Sequence, residues 1–317
     1  MGCTRMTVRL VSVGLNAITV DAGRQGVLNQ GFCQSGPMDW LAFQLANQLC
    51  GQHNAPTLEF MGALTFNIED DCSVSVTGPA ATIWVNEQQT SCWQRIALKA
   101  GDQVRVQPER LGARHYVATP SGFAVSPAVG SACTVKREYV GGPHQDGSPL
   151  KTGDLLAVNN GKSSRGVACP SSLPAHLLPS YDMTKPIGIV AGYQHEAFSD
   201  IAWQRLLNNE YEVTPQMDRM GVRLQGPAVQ SAMSGMYSEA IALGSMQVPP
   251  DGQPIVMMAD RQTLGGYPKV GTLARCDLYR FAQCLAGDKI QFYQLDAANA
   301  RATWLLQQVA IQKWFGN

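Results

Sequence analysis

Short apolar runs, cut off by Gly, Pro, Asn and Asp, follow one another along most of this chain. Val8, Leu10, Val11 and Val13 open the series as a first strand. It continues through Ser73–Val76, Thr82–Val85, Val104–Val106, Leu155–Val158, Ile187–Val190, Val222–Leu224 and Ile255–Met258. Brief β-branched runs between dense turn residues predict a mainly β protein, built as sandwich or barrel. One pattern recurs three times: LKAGDQVRV from Leu98, LKTGDLLAV from Leu150 and LAGDKIQF from Leu285. In each, a Gly-Asp turn launches an alternating strand. Glycine reaches positive φ without steric cost, and the Asp carboxylate is placed to bond back to the turn backbone. Two origins fit this recurrence, a common hairpin turn or a duplicated β unit.

Helical periodicity is sparse. Gly36-Pro37-Met38-Asp39 predicts a helix start, with Pro37 at the first helical position and Asp39 at the positive end. Leu41, Leu45 and Leu49 form its stripe, and Gly51 ends it. Further helices are expected from Phe198 to Leu207, after Asp277, and from about Ala297 to Phe315. The Ser-, Pro- and Gly-rich segment from Asn159 to Lys185 is the natural linker. It divides the chain into residues 1–184, a β domain with its linker, and 185–317, a β domain ending in a helix.

Composition narrows the function classes. The 317 residues are 45% hydrophobic and 15% charged, with 24 basic and 24 acidic side chains. That balance leaves no electrostatic footprint for nucleic acid and no basic membrane patch. No stretch reaches the length of a membrane span. The N-terminus lacks an apolar signal core, and Met6 stands where a myristoylation site needs Ser or Thr. The expected compartment is the cytoplasm. Nine cysteines without a C-x-x-C and five scattered histidines predict neither a disulfide framework nor a metal site held by a local motif. Gly161-Lys162-Ser163 lacks the glycine a phosphate-binding loop needs five residues earlier, where Leu156 stands. No G-x-S-x-G elbow occurs. No lysine sits between methionines, as in a biotin carrier.

Four segments, taken in order, carry more specific information. Asp21-Ala-Gly-Arg-Gln-Gly26 is followed by Ser35-Gly-Pro-Met-Asp39 and Leu45-Ala-Asn47. Then come Asp218-Arg-Met-Gly-Val-Arg-Leu-Gln-Gly226, Gln247-Val-Pro-Pro-Asp-Gly-Gln-Pro-Ile255 and Asp260-Arg-Gln-Thr-Leu-Gly-Gly-Tyr-Pro-Lys269. Together they resemble the family of 5-oxoprolinase C subunits. This is the biotin-dependent carboxyltransferase-like group, which also holds allophanate hydrolase subunit 2 and the antagonist of the kinase inhibitor KipI. The resemblance runs from about residue 7 to 295. Val20, Ala22 and Pro120-Ser121 depart from the family pattern in the first half.

The resemblance implies two cyclophilin-like β-barrel domains with a few short helices. It implies an ATP-using complex that opens 5-oxoproline to L-glutamate. The partners would be a homologue of the B subunit and a LamB/YcsF-type A subunit, with an interface above about 1,200 Å². Two alternatives follow from the same family. One is a carboxyltransferase acting from carboxybiotin on urea or a related amide. The other is a non-enzymatic module that binds a kinase inhibitor.

A site for such substrates must hold anionic oxygens. Arg219, Arg223, Arg261 and Lys269 supply cations in the second-half motifs, and Asp218 and Asp260 each precede an arginine. Asp218, Asp260, Arg261 and Lys269 are the candidate catalytic residues. On an extended strand one member of each Asp-Arg pair faces a pocket and the other the barrel wall. Ligand contact and loop-locking ion pairs both fit these pairs. Gly265 and Gly266 suit either an anion-binding nest of amides or a plain hairpin turn, with Tyr267 as a donor or flat face. Gln247 and Gln253 suit an amide or ureido group. From the first half, Arg24, Ser35 and Asp39 are candidates for closing the pocket, Asp39 serving equally as a helix cap, while Asn47 suits a structural role. On sequence alone, Arg261→Ala is expected to lower activity while leaving the fold intact.

Overall fold

The computed structural model describes residues 6–159, 170–233 and 236–316. Gly161-Lys162-Ser163 lies outside the described residues. The chain forms two compact units. One comprises residues 1–24, 35–179 and 313–317, and the other residues 25–34 and 180–312. Both are cyclophilin-like β-barrels with few helices.

In the first unit, two antiparallel sheets share one core. The six-stranded sheet runs in the order Leu155–Ala157, Thr7–Val13, Leu64–Ile68, Gln103–Pro108, Ala81–Val85, Gln88–Thr90. The five-stranded sheet runs Asn16–Val20, Thr57–Met61, Arg114–Ala118, Cys72–Thr77, Gln94–Leu98. Strand alternation turns Val8, Leu10, Phe60, Phe66, Val74, Val104, Val106 and Val117 into a continuous core, each at most 2% exposed. The helix Trp40–Leu49 lies on the five-stranded sheet, whose Ser75 and Thr77 hydroxyls donate to Ala46 O at 2.7 Å and Ala42 O at 2.8 Å.

In the second unit, eight strands follow the order Lys289–Ile290, Tyr211–Met217, Gly221–Gln225, Ile255–Met257, Ser245–Gln247, Lys269–Leu273, Ile187–Ala191, Phe292–Gln294. The two edge strands are consecutive in the chain, so the sheet curls until it nearly closes. A two-stranded ribbon, Glu239–Ala240 with Leu264–Gly265, accompanies it. Among the described residues, no helix is long and apolar enough to cross a membrane.

The three Gly-Asp turns share one geometry. Gly101, Gly153 and Gly287 have φ of 91°, 94° and 90°. The carboxylates of Asp102, Asp154 and Asp288 accept from the backbone N–H of Lys99, Lys151 and Leu285 at 2.7, 2.7 and 2.8 Å. Each glycine N–H donates at 2.8 Å to a carbonyl on the neighbouring strand, of Ile68, Leu10 and Val213 in turn. Those same residues donate back to the Asp carbonyls. The turn is therefore a docking unit that sets the register of the strand it launches.

Three helix starts differ from the sequence expectation, the second helix opening at Asp200 behind its Ser199 cap rather than at Phe198. The first helix begins at Trp40, so Pro37 lies ahead of it rather than at its first position. Ser35 and Gly36 adopt φ of 55° and 105°, which turns the chain before the helix can start. The Met38 and Asp39 N–H groups are taken by Glu59 Oε2 at 3.0 Å and the Tyr116 hydroxyl at 2.8 Å. Asp39 then caps by accepting from Ala42 N–H at 2.9 Å. The third helix runs Arg275–Phe281, with Asp277 in its first turn rather than before it. The other two helices are Asp200–Leu207, capped by Ser199, and Ala297–Phe315.

His115 makes the first unit acid-sensitive. It is fully buried, with Nε2 3.0 Å from Pro79 O and Nδ1 3.3 Å from Ala113 O. Burial pushes its pKa down from 6.5 to about 4, against the pull of those two carbonyls. The unfolded chain therefore takes up this proton first. The stability His115 contributes is whole above pH 6.5 and is lost as the pH falls through about 4. The expected loss is roughly 3 kcal/mol. Urea denaturation of the wild type and His115→Gln between pH 7 and 4 checks this. The variant should lose less stability on acidification, and parallel curves would assign the loss to other groups.

Candidate functional site

The second unit's ladder aligns four residues from the second-half segments. Arg223 pairs with Ile255, Ile255 with Gln247, and Gln247 with Lys269. With strands about 4.8 Å apart, Arg223 and Lys269 lie roughly 14 Å apart along this row.

Lys269 is the centre of the densest polar network here. Its side chain is 7% exposed, and its Nζ forms an ion pair with Glu239 Oε1. The same Oε1 accepts from the Tyr193 hydroxyl and from Gln194 Nε2, the latter at 2.7 Å. Gln194 is locked in turn, because its Oε1 accepts from the Lys269 backbone N–H at 2.7 Å. Lys269 Nζ also lies 5.7 Å from the centroid of the Tyr193 ring. The Lys269 ammonium first, and the Tyr193 hydroxyl second, hold the Glu239 carboxyl below the usual carboxylate range. Tyr193 and Tyr267 are exposed beside this network, and Tyr237 lies two residues from Glu239 and is almost wholly exposed.

Gly265 and Gly266 do not form an anion nest. Neither has positive φ, and a nest needs residues alternating between the two helical hands. Gly265 instead belongs to the ribbon, in register with Glu239. Its need for glycine is space. A Cβ there would sit 2.5 Å from Ile241 Cδ1 and 2.7 Å from Gln247 Nε2. Gln247 is 2% exposed, and its Nε2 has no acceptor among the described residues.

The two Asp-Arg pairs lie in turns, not on strands, so the alternating-face argument does not apply to them. Asp218 Oδ1 accepts from Met220 and Gly221 N–H at 2.7 and 3.1 Å and shapes its own turn. Asp260 joins the other segment, accepting from Arg219 Nε at 2.8 Å and Nη2 at 3.1 Å. This bidentate pair is nearly buried, with side chains 14% and 6% exposed. Arg261 is buried as well, and that burial lowers its pKa. Its guanidinium donates to Ile241 O at 2.8 Å, Met258 O at 3.4 Å and Gln34 Oε1 at 3.2 Å.

That geometry changes the expectation for Arg261. Three protein acceptors hold it, so Arg261→Ala strands buried carbonyls and is expected to cost about 2 kcal/mol of stability. Thermal or urea unfolding of the purified variant checks this against the intact-fold outcome inferred from sequence.

Arg223 and Gln253 line a groove of about 630 Å³ with Thr214, Gln216 and Asp251. Arg223 pairs with Asp251. Gln253 holds both sides of the Gly226 peptide, accepting from its N–H at 2.8 Å and donating to its carbonyl at 3.1 Å. The Pro249–Gly252 run is a turn closed by Gly252 N–H to Pro249 O at 2.9 Å.

The first-half candidates sit in the first unit. Arg24 is fully buried and paired with Glu138 Oε2 at 2.5 Å. Ser35 occupies the positive-φ turn, and Asp39 caps the first helix. Asn47 braces the start of the next strand through Thr57 Oγ1 at 2.9 Å and Ala55 N–H at 3.0 Å.

Glu239, Tyr193 and Gln194 were not singled out from the sequence. They stand 30, 76 and 75 residues from Lys269, outside the four segments. Tyr193-Gln194, just ahead of the second helix, is a polar pair with no periodicity to draw attention to it. Among the described residues, no group of His, Cys, Asp and Glu is placed to hold a metal ion.

Residues 30–294 match the family described as carboxyltransferase domain, subdomain A and B. The chain is 31% identical over 296 residues to the C subunit of 5-oxoprolinase from Escherichia coli, covering 92% of this chain and 93% of that one. Against the C subunit of 5-oxoprolinase from Haemophilus influenzae it is 32% identical over 291 residues, covering 90% of each. The crystal structure of the K. lactis urea amidolyase superposes with a TM-score of 0.88 at 26% identity. That match covers 99% of this chain but 20% of the amidolyase, so the present chain spans about a fifth of that larger enzyme.

Proposed function

The chain belongs to the family of carboxyltransferase domains with subdomains A and B, and we propose that it serves as the C subunit of a 5-oxoprolinase complex. The complex opens 5-oxoproline to L-glutamate with ATP, in company with a homologue of the B subunit and a LamB/YcsF-type A subunit. The observation that carries this reading is end-to-end likeness to two 5-oxoprolinase C subunits, over at least 90% of both chains in each case.

ATP belongs to the complex in this proposal. Two features that could have received its phosphates do not do so. Gly265 and Gly266 form no nest, and the helices starting at Trp40 and Asp200 are capped by their own Asp39 and Ser199. No step on the nucleotide is therefore assigned to this chain. Its part is to hold the lactam, with the buried Lys269 and its partly exposed partner Glu239 as a fixed dipole at the site. Fixed charge of this kind assists a reaction because it need not reorganise as charge develops.

The test is reconstitution. The chain purified with its partner subunits should release glutamate from 5-oxoproline when ATP is supplied. A complete complex that releases none overturns the proposal. A second reading, carboxyl transfer to urea or a related amide, is favoured by the likeness to the K. lactis enzyme. It requires transfer from a carboxybiotin carrier in the same assay without dependence on 5-oxoproline.

A further inference from the structure

Glu239 has two carboxylate oxygens in very different positions. Oε1 takes all three donors of the network: Lys269 Nζ, the Tyr193 hydroxyl and Gln194 Nε2. Oε2 receives no hydrogen bond among the described residues, and the side chain is 34% exposed. One oxygen is thus anchored from three directions while the other remains an unused acceptor within reach of solvent. The Gln194 amide cannot be turned over to relieve this, because the Lys269 N–H fixes its oxygen.

The chemistry of that acceptor narrows what it takes. An ionised carboxylate only accepts, so its ligand must bring a donor. Glu239 is a partly exposed carboxylate, ionised at neutral pH, and the Lys269 ammonium lowers its pKa further. The pair is neutral as a whole, so it offers a second cation little attraction. A neutral N–H is the matching donor. Gly265 is in register with Glu239 on the ribbon, and the Tyr193 ring, whose hydroxyl donates to Glu239, is exposed and offers a flat face.

We propose that Glu239 Oε2 is the acceptor for the ring N–H of a cyclic amide, a lactam or a cyclic urea, bound beside Gly265. This rests on the proposed 5-oxoprolinase role for the choice of lactam, but the acceptor itself rests on the geometry of Glu239.

Glu239→Gln is an informative substitution. The three donors around Oε1 hold the carboxamide oxygen on their side, which puts the NH₂ where Oε2 stood. A donor then faces a donor. The experiment measures binding of 5-oxoproline, N-methyl-5-oxoproline and 2-imidazolidone to the assembled complex by calorimetry, in wild type and Glu239→Gln. In the wild type, 5-oxoproline should bind about tenfold or more tightly than its N-methyl analogue. In Glu239→Gln that ratio should fall toward one, with the complex still assembled. Glu239→Ala provides the same comparison if the glutamine variant fails to assemble. A ratio that survives both substitutions overturns the inference, as does a wild type that binds neither 5-oxoproline nor 2-imidazolidone. Glu239-dependent binding of 2-imidazolidone alone upholds the acceptor and sinks the 5-oxoproline reading.

Discussion

Alanine at position 260 should cost about 2–3 kcal/mol of folding stability, because it removes the carboxylate that accepts two charge-assisted hydrogen bonds from the nearly buried Arg219 guanidinium. The carboxylate holds two guanidinium nitrogens, at 2.8 and 3.1 Å. The same two residues are joined through the backbone, Asp260 N–H donating to Arg219 O at 2.7 Å. The pair therefore clamps the turn after Tyr211–Met217 to the turn after Ile255–Met257, just outside the strands that carry the site. Urea unfolding of Asp260→Ala measures the effect. Removing both charges in Arg219→Met/Asp260→Leu should recover part of the loss, since neither charge then has to be desolvated. A single variant within about 1 kcal/mol of wild type would mean that water reaches Arg219 and that the clamp is weak.

Alanine at position 269 should lower the activity of the assembled complex by about a hundredfold or more, as removal of a fixed charge from a reaction site typically does. Lys269 is the only cation that Glu239 touches among the described residues. Without it the Glu239 carboxylate loses its only cationic partner among the described residues, and Oε1 keeps only the neutral donors of Tyr193 and Gln194. The fall should appear in glutamate release per assembled complex, with assembly itself retained on size exclusion. Lys269→Arg should rescue poorly, because a planar fork does not fit where a compact ammonium is enclosed. Normal turnover in Lys269→Ala would move the site elsewhere in the chain.

Much of the fold was legible because it is local. The first strand, Ser73–Val76, Thr82–Val85 and Val222–Leu224 each announce themselves by β-branched runs between turn residues, and each lies within a strand of the structure. The last helix was equally visible from its length. The start of the first helix was not. Pro37 is a good first helical residue, but Glu59 and Tyr116, distant in sequence, take the preceding N–H groups and hold the chain extended. The Asp-Arg pairs show the same limit: on a strand they would face opposite ways, whereas turns let Asp260 reach back to Arg219.

The sequence by itself determined the β class, the Gly-Asp turns and the family. These depend on backbone preferences and on motifs a few residues long. Glycine near φ 90° followed by an aspartate that bonds three residues back needs nothing from elsewhere in the chain. Only the tertiary structure decided what each charged motif residue does. Lys269, Arg261 and Arg219 are alike in sequence as cations of the second-half segments. Folding pairs the first with Glu239, gives the second to the carbonyls of Ile241 and Met258, and closes the third on Asp260. Those partners lie 3 to 41 residues away along the chain. A charge's role depends on which acceptor the fold brings within about 3 Å, and no local pattern carries that information.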